Sequence, residues 1–224
     1  MITSKQVFDF KESFCNENKI IPNILKQEFE PLIEEPILDV GSGLGDISNF
    51  AFGDKELIHL DIEDYSDYEI PTKHTRVIKD FFDYKPEKSI QTLLLSHVLQ
   101  FIDGNTEKLN EKIKEINTKY IIVVRNTNND FMGKLMEWFD GQDVQSNPEI
   151  IIPDFPKDFI EAKRIEFVAE LKCPSFEVLE EQISYLWDIT LSKEQNDSLV
   201  AFLRQNLRKP EFEIHQEIVL YKNQ

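Results

Sequence analysis

Three glycines at alternate positions follow an apolar run and stand directly before a helical pattern. They are Gly41, Gly43 and Gly45, in a stretch of sequence ILDVGSGLGDI. Glycine gives the backbone conformations that a Cβ forbids and lets it approach a ligand closely. A helix that begins after such a turn offers unbonded N–H groups and the positive end of its dipole. In open α/β sheets, nucleotides bind at a turn of this kind after the first strand.

The spacing of the glycines distinguishes between the motifs that bind different nucleotides. A dinucleotide fingerprint would need glycine at 41, 43 and 46, but position 46 is Asp46. With Asp39 before the first glycine, the pattern D-x-G-x-G-x-G resembles motif I of the class I S-adenosylmethionine-dependent methyltransferases. The alternative is an ordinary glycine turn after a buried strand. The resemblance implies that S-adenosyl-L-methionine is the cofactor, bound by Asp39, Gly41, Ser42, Gly43 and Gly45.

The next two strands end in further candidate cofactor-binding residues. Residues 56–61 have a strand pattern that ends in Asp61, where nucleotide-binding α/β folds place an acid that binds ribose hydroxyls. The alternative is a solvated loop acid, since other acids follow it. Ile62 would then lie against the adenine. After a short strand at 75–79, Asp80 and Phe81 match the position where class I methyltransferases bind the adenine amino group and ring face.

A strongly apolar fourth strand is predicted at 90–97. The stretch SHVLQFI at its end resembles the corresponding segment of small-molecule methyltransferases, which implies that Ser96 or His97 faces the cofactor and substrate. His97 is the candidate general base, because an imidazole titrates near neutrality. The alternative is a histidine that only shapes the pocket. DNA and RNA amino-methyltransferases carry N/D-P-P-Y/F here, and this chain does not.

The order of elements predicts an α/β fold with a Rossmann-like class I methyltransferase sheet, mostly parallel with the last strand antiparallel. About 40 largely helical residues separate strand six, at 164–171, from strand seven, at 212–221. They predict a helical substrate cover inserted between these strands, and part of it is similar to histamine-type amine N-methyltransferases. The predicted organisation is one domain over 1–224, with a helical flap at 1–35, a cofactor-binding core at 36–140 and the cover at 174–209.

A helical pattern also precedes the first strand, with Pro22 in its first turn and Pro31 at its end. This helix either covers one sheet face or forms a flap that turns phenylalanines towards the site. The acceptor is expected between the cofactor, the helical cover and the polar loop that follows strand 120–124. The residues predicted to bind the substrate are Phe10, Phe14, Gln100, Asn126 and Trp187.

Composition restricts the partners. The chain has 25 Lys and Arg against 42 Asp and Glu, a net charge of −17, which disfavours nucleic acid. Cys15 and Cys173 lie far apart, as expected of reduced thiols in a cytoplasmic protein. No apolar run approaches a membrane span, so no membrane partner is expected. No metal is expected, because metal-ligand spacings are absent. The expected state is a monomer or a homodimer with a small-molecule acceptor.

The predicted function is methyl transfer to nitrogen or oxygen of a small molecule. The reaction is an in-line displacement in which the enzyme aligns the nucleophile and excludes water. One alternative is an aminopropyltransferase-like enzyme, which should show an acid-rich segment where this chain has SHVLQ. Another is a catalytically silent binding module. A nicotinamide dehydrogenase is disfavoured by Asp46.

Overall fold

The computed structural model describes residues 13–99, 106–127, 130–142, 155–186 and 189–224. The chain divides into two compact units. The first unit takes the described residues of Met1–Asn18, Asn126–Ile150 and Phe167–Gln216. The second takes those of Lys19–Arg125, Ile151–Glu166 and Glu217–Gln224, and it contains parts of all seven strands.

The sheet has the strand order β3-β2-β1-β4-β5-β7-β6. Its strands β1 to β5 are parallel where their pairing is given, as expected when helices connect successive strands. The strands are β1 Ile37–Val40, β2 Leu57–Asp61, β3 Thr75–Ile78, β4 Thr92–Ser96, β5 Tyr120–Asn126, β6 Phe159–Lys172 and β7 Glu211–Asn223.

The last strand, β7, runs antiparallel to both of its neighbours. Near its end, Asn223 N–H donates to the Lys119 carbonyl at 2.9 Å, at the start of β5. Further along β5, Thr127 N–H bonds His215 O at 2.7 Å, near the start of β7, so the two strands run in opposite directions. The predicted Rossmann-like sheet, mostly parallel with an antiparallel last strand, is confirmed.

Six α-helices lie in the described part of the chain. Two of them, α5 and α6, fall between β6 and β7, where a helical insertion is predicted. The helix α1 continues into a π-helical turn at Leu25–Phe29 and a 3₁₀ turn at Glu30–Leu32. The helices are α1 Glu17–Ile24, α2 Asp46–Phe52, α3 Thr106–Ile116, α4 Asp130–Gly141, α5 Phe176–Leu186 and α6 Lys193–Asn206.

The two faces of the sheet in the second unit carry different side chains. On one face, Leu38, Val40, Leu93 and Leu95 form a core with the buried side of α3. Alternation along a strand sends the residues between them to the opposite face, which α2 covers. That face holds the buried polar residues Asp39 on β1 and His59 on β2. The polar groups therefore lie under the helix that begins at the glycine turn.

Some predicted boundaries are wrong. The helix α1 begins at Glu17, so Pro22 lies inside it and not in its first turn. β5 continues to Asn126, which places Arg125 in a buried strand position and not in a polar loop. β6 begins at Phe159, five residues before the predicted start, and the pattern misses this end because its residues are mostly exposed and do not alternate.

The first unit has an apolar interior in which α5 and α6 pack on each other. Leu179, Ile183, Leu199 and Leu203 are fully buried. The rings of Phe131 and Phe212 lie 4.8 Å apart, and Trp138 lies 6.1 Å from Phe202. A capping box begins α6, in which the Ser192 hydroxyl accepts from Gln195 N–H. No described helix has the length and apolar character needed to cross a membrane.

Candidate functional site

The candidate site lies where the strand order of the sheet reverses. β1 pairs with β2 on one side and with β4 on the other, and Val40 is in register with Leu95. This register brings the turn after β1 and the residue Ser96 to the same edge of the sheet. Open α/β sheets bind ligands in the crevice outside the carboxyl ends of strands at such a reversal.

The glycine turn has a conformation that requires glycine. Gly41, Gly43 and Gly45 have φ angles of 64°, 53° and 84°. A Cβ on Gly41 would lie 2.6 Å from the Val98 side chain, and one on Gly45 would lie 2.8 Å from His59 Cε1. A Cβ on Gly43 would meet no described atom within 4 Å. The middle glycine therefore faces open space, while the other two are packed against neighbours.

The acid at the end of β2 is bonded to this turn. Gly43 N–H donates to Asp61 Oδ2 at 2.8 Å, and Glu63 N–H donates to Asp61 Oδ1 at 3.0 Å. A carboxylate offers about four lone-pair positions, so each oxygen keeps capacity for another donor. The partly exposed Asp61 is thus fixed in orientation and still able to accept hydrogen bonds from hydroxyl groups.

Arg76 on β3 contacts the glycine turn, which the sequence did not predict. Its Nη1 and Nη2 donate to the carbonyls of Gly43 and Leu44 at 3.3 and 3.4 Å. The guanidinium also lies over the Tyr65 ring, 5.8 Å from its centroid. These bonds satisfy two carbonyls of the glycine turn and tie the turn to strand β3. Only the register of Arg76 with His59 across β2 and β3, unknown from sequence, reveals this role.

Two strand ends contribute buried hydroxyl groups. The Oγ atoms of Ser42 and Ser96 are buried and have no hydrogen-bond partner among the described residues. A buried hydroxyl without a partner costs free energy, so such groups point to a ligand or to water. His97, the next residue after Ser96, is half-buried and has φ of 51°. Its N–H donates to Val124 O at 3.1 Å, which holds this left-handed conformation.

The other predicted cofactor-binding residues differ in exposure. Ile62 is 71% exposed, an unusual position for a large aliphatic side chain beside a strand end. Asp80 is exposed, and its Oδ1 accepts from Phe82 N–H at 2.7 Å. Phe81 is buried among the core residues of the sheet. Their roles towards a nucleotide stay predictions.

A buried polar cluster lies behind the glycine turn. Asp39 accepts a 2.5 Å hydrogen bond from Ser48 on α2 and lies 3.6 Å from His59 Nδ1. The Asn49 side chain contacts both His59 and His74, at 3.1 and 2.8 Å. Burial lowers the pKa of His74, and the charge of His59 adds to this effect. Asp39 thus faces the buried cluster behind the turn. His59 and His74 were not predicted as members of any site.

In the first unit, Asn126 belongs to another polar cluster. Gln216 Nε2 donates to Asn126 Oδ1 at 2.8 Å and to Glu17 Oε2 at 2.9 Å. Both amide hydrogens are used, while the buried Gln216 Oε1 has no partner in the described chain. Glu17 and Gln216 are only 3% and 1% exposed. Gln216 Oε1 therefore keeps the capacity to accept a further hydrogen bond.

The remaining predicted substrate residues are less informative. Phe14 lies in the first unit and is partly buried. Phe10, Gln100 and Trp187 lie outside the described residues.

The described ranges contain no group of three His, Cys, Asp or Glu side chains that could hold a metal ion. Burial raises the pKa of the Cys173 thiol to about 12, and nearby Cys15 contributes.

Comparison with known proteins finds likeness in structure and none in sequence. No protein-family model matches the chain, and no curated protein matches it. A cyclopropane-fatty-acyl-phospholipid synthase-like protein from Lactobacillus casei superposes with a TM-score of 0.57 at 13% identity, over 98% of this chain and 100% of that chain. A protein from Anaeromyxobacter dehalogenans described as a type II methyltransferase gives 0.52 at 13% identity, over 84% and 88%.

A third solved structure is that of an N-methyltransferase. It is phosphoethanolamine N-methyltransferase 2 from Haemonchus contortus with S-adenosyl-L-methionine, and the TM-score is 0.51 at 13% identity. The match covers 99% of this chain and 57% of that chain. At such identities the likeness establishes the fold alone, and the different names of the three proteins do not select an acceptor.

Proposed function

We propose, from the class I methyltransferase fold of this chain and its glycine turn, that it is an S-adenosylmethionine-dependent methyltransferase. The acceptor in this proposal is a nitrogen or oxygen atom of a small molecule. The observation that carries the proposal is the bond between Gly43 and Asp61, which joins the turn after β1 to the acid after β2. A nucleoside needs both parts, backbone donors beside a turn and an acid for the ribose hydroxyls.

The described residues fit an S-adenosylmethionine molecule. The open space at the Cα of Gly43 is a cradle that a side chain would fill. The buried hydroxyls of Ser42 and Ser96 supply hydrogen-bonding groups that the described protein leaves unused. The exposed face of Ile62 offers an apolar surface for a purine ring. These features support a bound nucleoside more strongly than an ordinary glycine turn, which would leave no polar group unsatisfied.

The chain's own residues then have defined roles. Asp61 accepts the ribose hydroxyls, Asp80 accepts the adenine amino group, and Gly41–Gly45 present the backbone. The bound sulfonium supplies an already activated methyl group, so the protein must chiefly orient the acceptor and exclude water. His97, held in its left-handed conformation, is the candidate to accept a proton from the acceptor's nitrogen or oxygen.

Methyl transfer itself is the test of the proposed function. The full chain would be incubated with S-adenosylmethionine carrying a labelled methyl group and with panels of small amines, phenols, alcohols and carboxylates. An RNA oligomer would be included, because only net charge and the missing N/D-P-P-Y/F motif argue against nucleic acid. The proposal expects label in at least one amine or hydroxyl compound, and none with Asp61→Ala. Transfer to RNA alone, or to nothing, would overturn it.

A catalytically silent module is the main alternative, and an aminopropyltransferase-like enzyme is another. The silent module predicts cofactor binding without transfer to any panel member. The aminopropyltransferase predicts use of the decarboxylated cofactor in place of S-adenosylmethionine. Running the panel with both compounds, the decarboxylated one labelled in its aminopropyl group, separates these outcomes. A methyltransferase transfers the methyl group and leaves S-adenosylhomocysteine, whereas an aminopropyltransferase transfers the aminopropyl group and leaves methylthioadenosine.

A further inference from the structure

A continuous line of buried polar side chains runs behind the glycine turn. It begins at Asp39 on β1, passes through His59 on β2 and Asn49 on α2, and reaches His74 before β3. His74 Nε2 lies 3.3 Å from the carbonyl of Gly53, at the end of α2. The imidazoles of His59 and His74 are tilted by 58° with their centroids 5.4 Å apart. Asp39, His59 and His74 are at most 7% exposed.

The positions of the hydrogens in this line are constrained by chemistry. One end of the Asn49 amide lies 3.1 Å from His59 Nε2 and 2.8 Å from His74 Nδ1. If that end is oxygen, both of these ring nitrogens must donate. In neutral imidazoles, His59 Nδ1 would then turn a lone pair to the Asp39 carboxylate, and His74 Nε2 would turn one to the Gly53 carbonyl. Two acceptor–acceptor contacts in a buried site are unfavourable.

The opposite amide orientation removes both acceptor–acceptor contacts. The Asn49 NH₂ has two hydrogens, and it donates one to His59 Nε2 and one to His74 Nδ1. His59 Nδ1–H then faces Asp39 Oδ2, 3.6 Å away, and His74 Nε2–H donates to the Gly53 carbonyl. The two ends of an amide have nearly the same shape, so their identity follows from the hydrogen-bond network. Protonating both rings instead would put two cations with nitrogens 3.5 Å apart inside the protein.

We propose that His59 is a positioning residue of the cofactor site, held as the Nδ1–H tautomer by Asp39 and by the amide NH₂ of Asn49. The link to the site is direct contact, since a Cβ on Gly45 would lie 2.8 Å from His59 Cε1 and 2.9 Å from Nδ1. The neutral imidazole of His59 packs against Gly45, the third glycine of the turn, and supports its position. The proposal depends on the proposed function only for the identity of the ligand that the turn binds.

Acidification should weaken the support that this hydrogen-bond network gives to the glycine turn. A proton on His74 would remove the lone pair that accepts from Asn49 and would add a positive charge. The charged and titratable groups around the two rings are Asp39 on β1, Lys73 before β3 and Arg76 on β3. Burial lowers the pKa of His74, and the neighbouring His59 and Lys73 lower it further, so the contact between His74 and Asn49 holds at neutral pH and is lost on acidification.

The test of the network is the tautomer of each histidine, read from ¹⁵N chemical shifts and long-range ¹H–¹⁵N correlations of the imidazoles at about pH 8. The proposal predicts the Nδ1–H form for His59 and the Nε2–H form for His74. His59→Gln and His74→Gln assign the signals, and exposed His215 provides the reference. The reverse tautomers, or imidazolium signals at this pH, would overturn the proposal whether or not the chain binds S-adenosylmethionine.

The positioning role is tested with Asn49→Asp, which replaces the donating NH₂ by an acceptor of the same shape. Its affinity for S-adenosylmethionine, or for adenosine if the former does not bind, should fall about tenfold near neutral pH. Part of the loss should be recovered at lower pH, where a protonated His74 can donate to the new carboxylate. Asn23→Asp, on the exposed side of α1, is the matched control and should bind normally. An unchanged affinity in Asn49→Asp at both pH values would contradict the role.

Discussion

The backbone N–H of Gly43 donates a 2.8 Å hydrogen bond to Oδ2 of Asp61, across a sequence separation of 18 residues. This bond fixes the acid at the end of β2 relative to the glycine turn at the end of β1. Because Glu63 N–H holds the other carboxylate oxygen, the side chain has little rotational freedom. A ligand that bonds Asp61 therefore meets a preorganised group and loses less entropy on binding.

Alanine substitutions at two glycines of the turn should differ in what they impair. Gly45→Ala should chiefly lower stability, and Gly43→Ala should chiefly weaken cofactor binding. Gly45→Ala forces a Cβ against His59 at φ of 84°, so it should lower the free energy of unfolding by about 3 kcal/mol. Gly43→Ala adds a Cβ in open space and should cost only about 1 kcal/mol from its left-handed backbone. Urea unfolding measures both.

Cofactor binding completes this comparison. Although Gly43→Ala is the milder change for stability, its methyl group would occupy the cradle, and its affinity for S-adenosylmethionine should fall at least about tenfold. Calorimetry on the folded variant measures this. If Gly43→Ala binds as well as the parent protein, the open space at Gly43 is not part of the ligand site.

The buried ion pairs of the second unit should dominate its electrostatic stability. Glu217 accepts bonds from Arg125, including one of 2.6 Å from Nε, and also from Arg164. Glu217→Gln would leave Arg125, which is 4% exposed, without its anion. Removing one partner of a buried pair typically costs about 3–5 kcal/mol, which denaturant unfolding can measure.

The control for this variant is an exposed pair. Lys119 and Glu34 are bonded at 2.7 Å, but both side chains are about half exposed. Glu34→Gln should change the free energy of unfolding far less than Glu217→Gln, because water and salt screen an exposed pair. Equal effects of the two substitutions would show that the buried arginine finds another partner.

His74 should make the folded state sensitive to acid. Burial lowers the pKa of its imidazole from 6.5, so below that pH the unfolded chain binds a proton that the folded chain does not. Above pH 6.5 this group leaves stability unchanged. As the pH falls further, the free energy of unfolding decreases, until the folded-state pKa is passed and the loss is complete.

Unfolding measured between about pH 8 and about pH 5 tests this dependence. His74→Gln should flatten the decrease, whereas His215→Gln, on the exposed end of β7, should keep it. A His74→Gln variant with the same pH dependence as the parent would assign the acid sensitivity to other groups.

The sequence predicted the elements of the sheet and the local parts of the site, because both follow from short-range patterns. The spacing of the glycines was enough to identify Gly41–Gly45 as candidates. The position of Asp61 at the end of an apolar strand was enough to identify it. The contacts of Arg76, and of His59 with Asn49 and His74, depend on strand register and on which face of the sheet α2 covers. Such relationships join residues far apart in the chain, and spacing does not encode them.

The extent of β5 shows a second limit. Arg125 and Asn126 read as a polar loop, because charged and amide side chains are rare in a buried strand. Glu217 compensates the charge of Arg125, and Gln216 bonds Asn126, both from β7 about 90 residues later. A polar residue in a strand is predictable only when its partner is known.

The most direct test of the central claim is calorimetric titration of the chain with S-adenosylmethionine and S-adenosylhomocysteine, with NADH as the negative control. Asp61→Ala is the test variant, and Asp64→Ala is its match, an exposed acid in the same loop that bonds Ser66 N–H at 2.8 Å. The account predicts micromolar binding of both compounds, weakened at least about tenfold by Asp61→Ala alone. Absence of binding to the intact chain, or equal binding by the two variants, would contradict it.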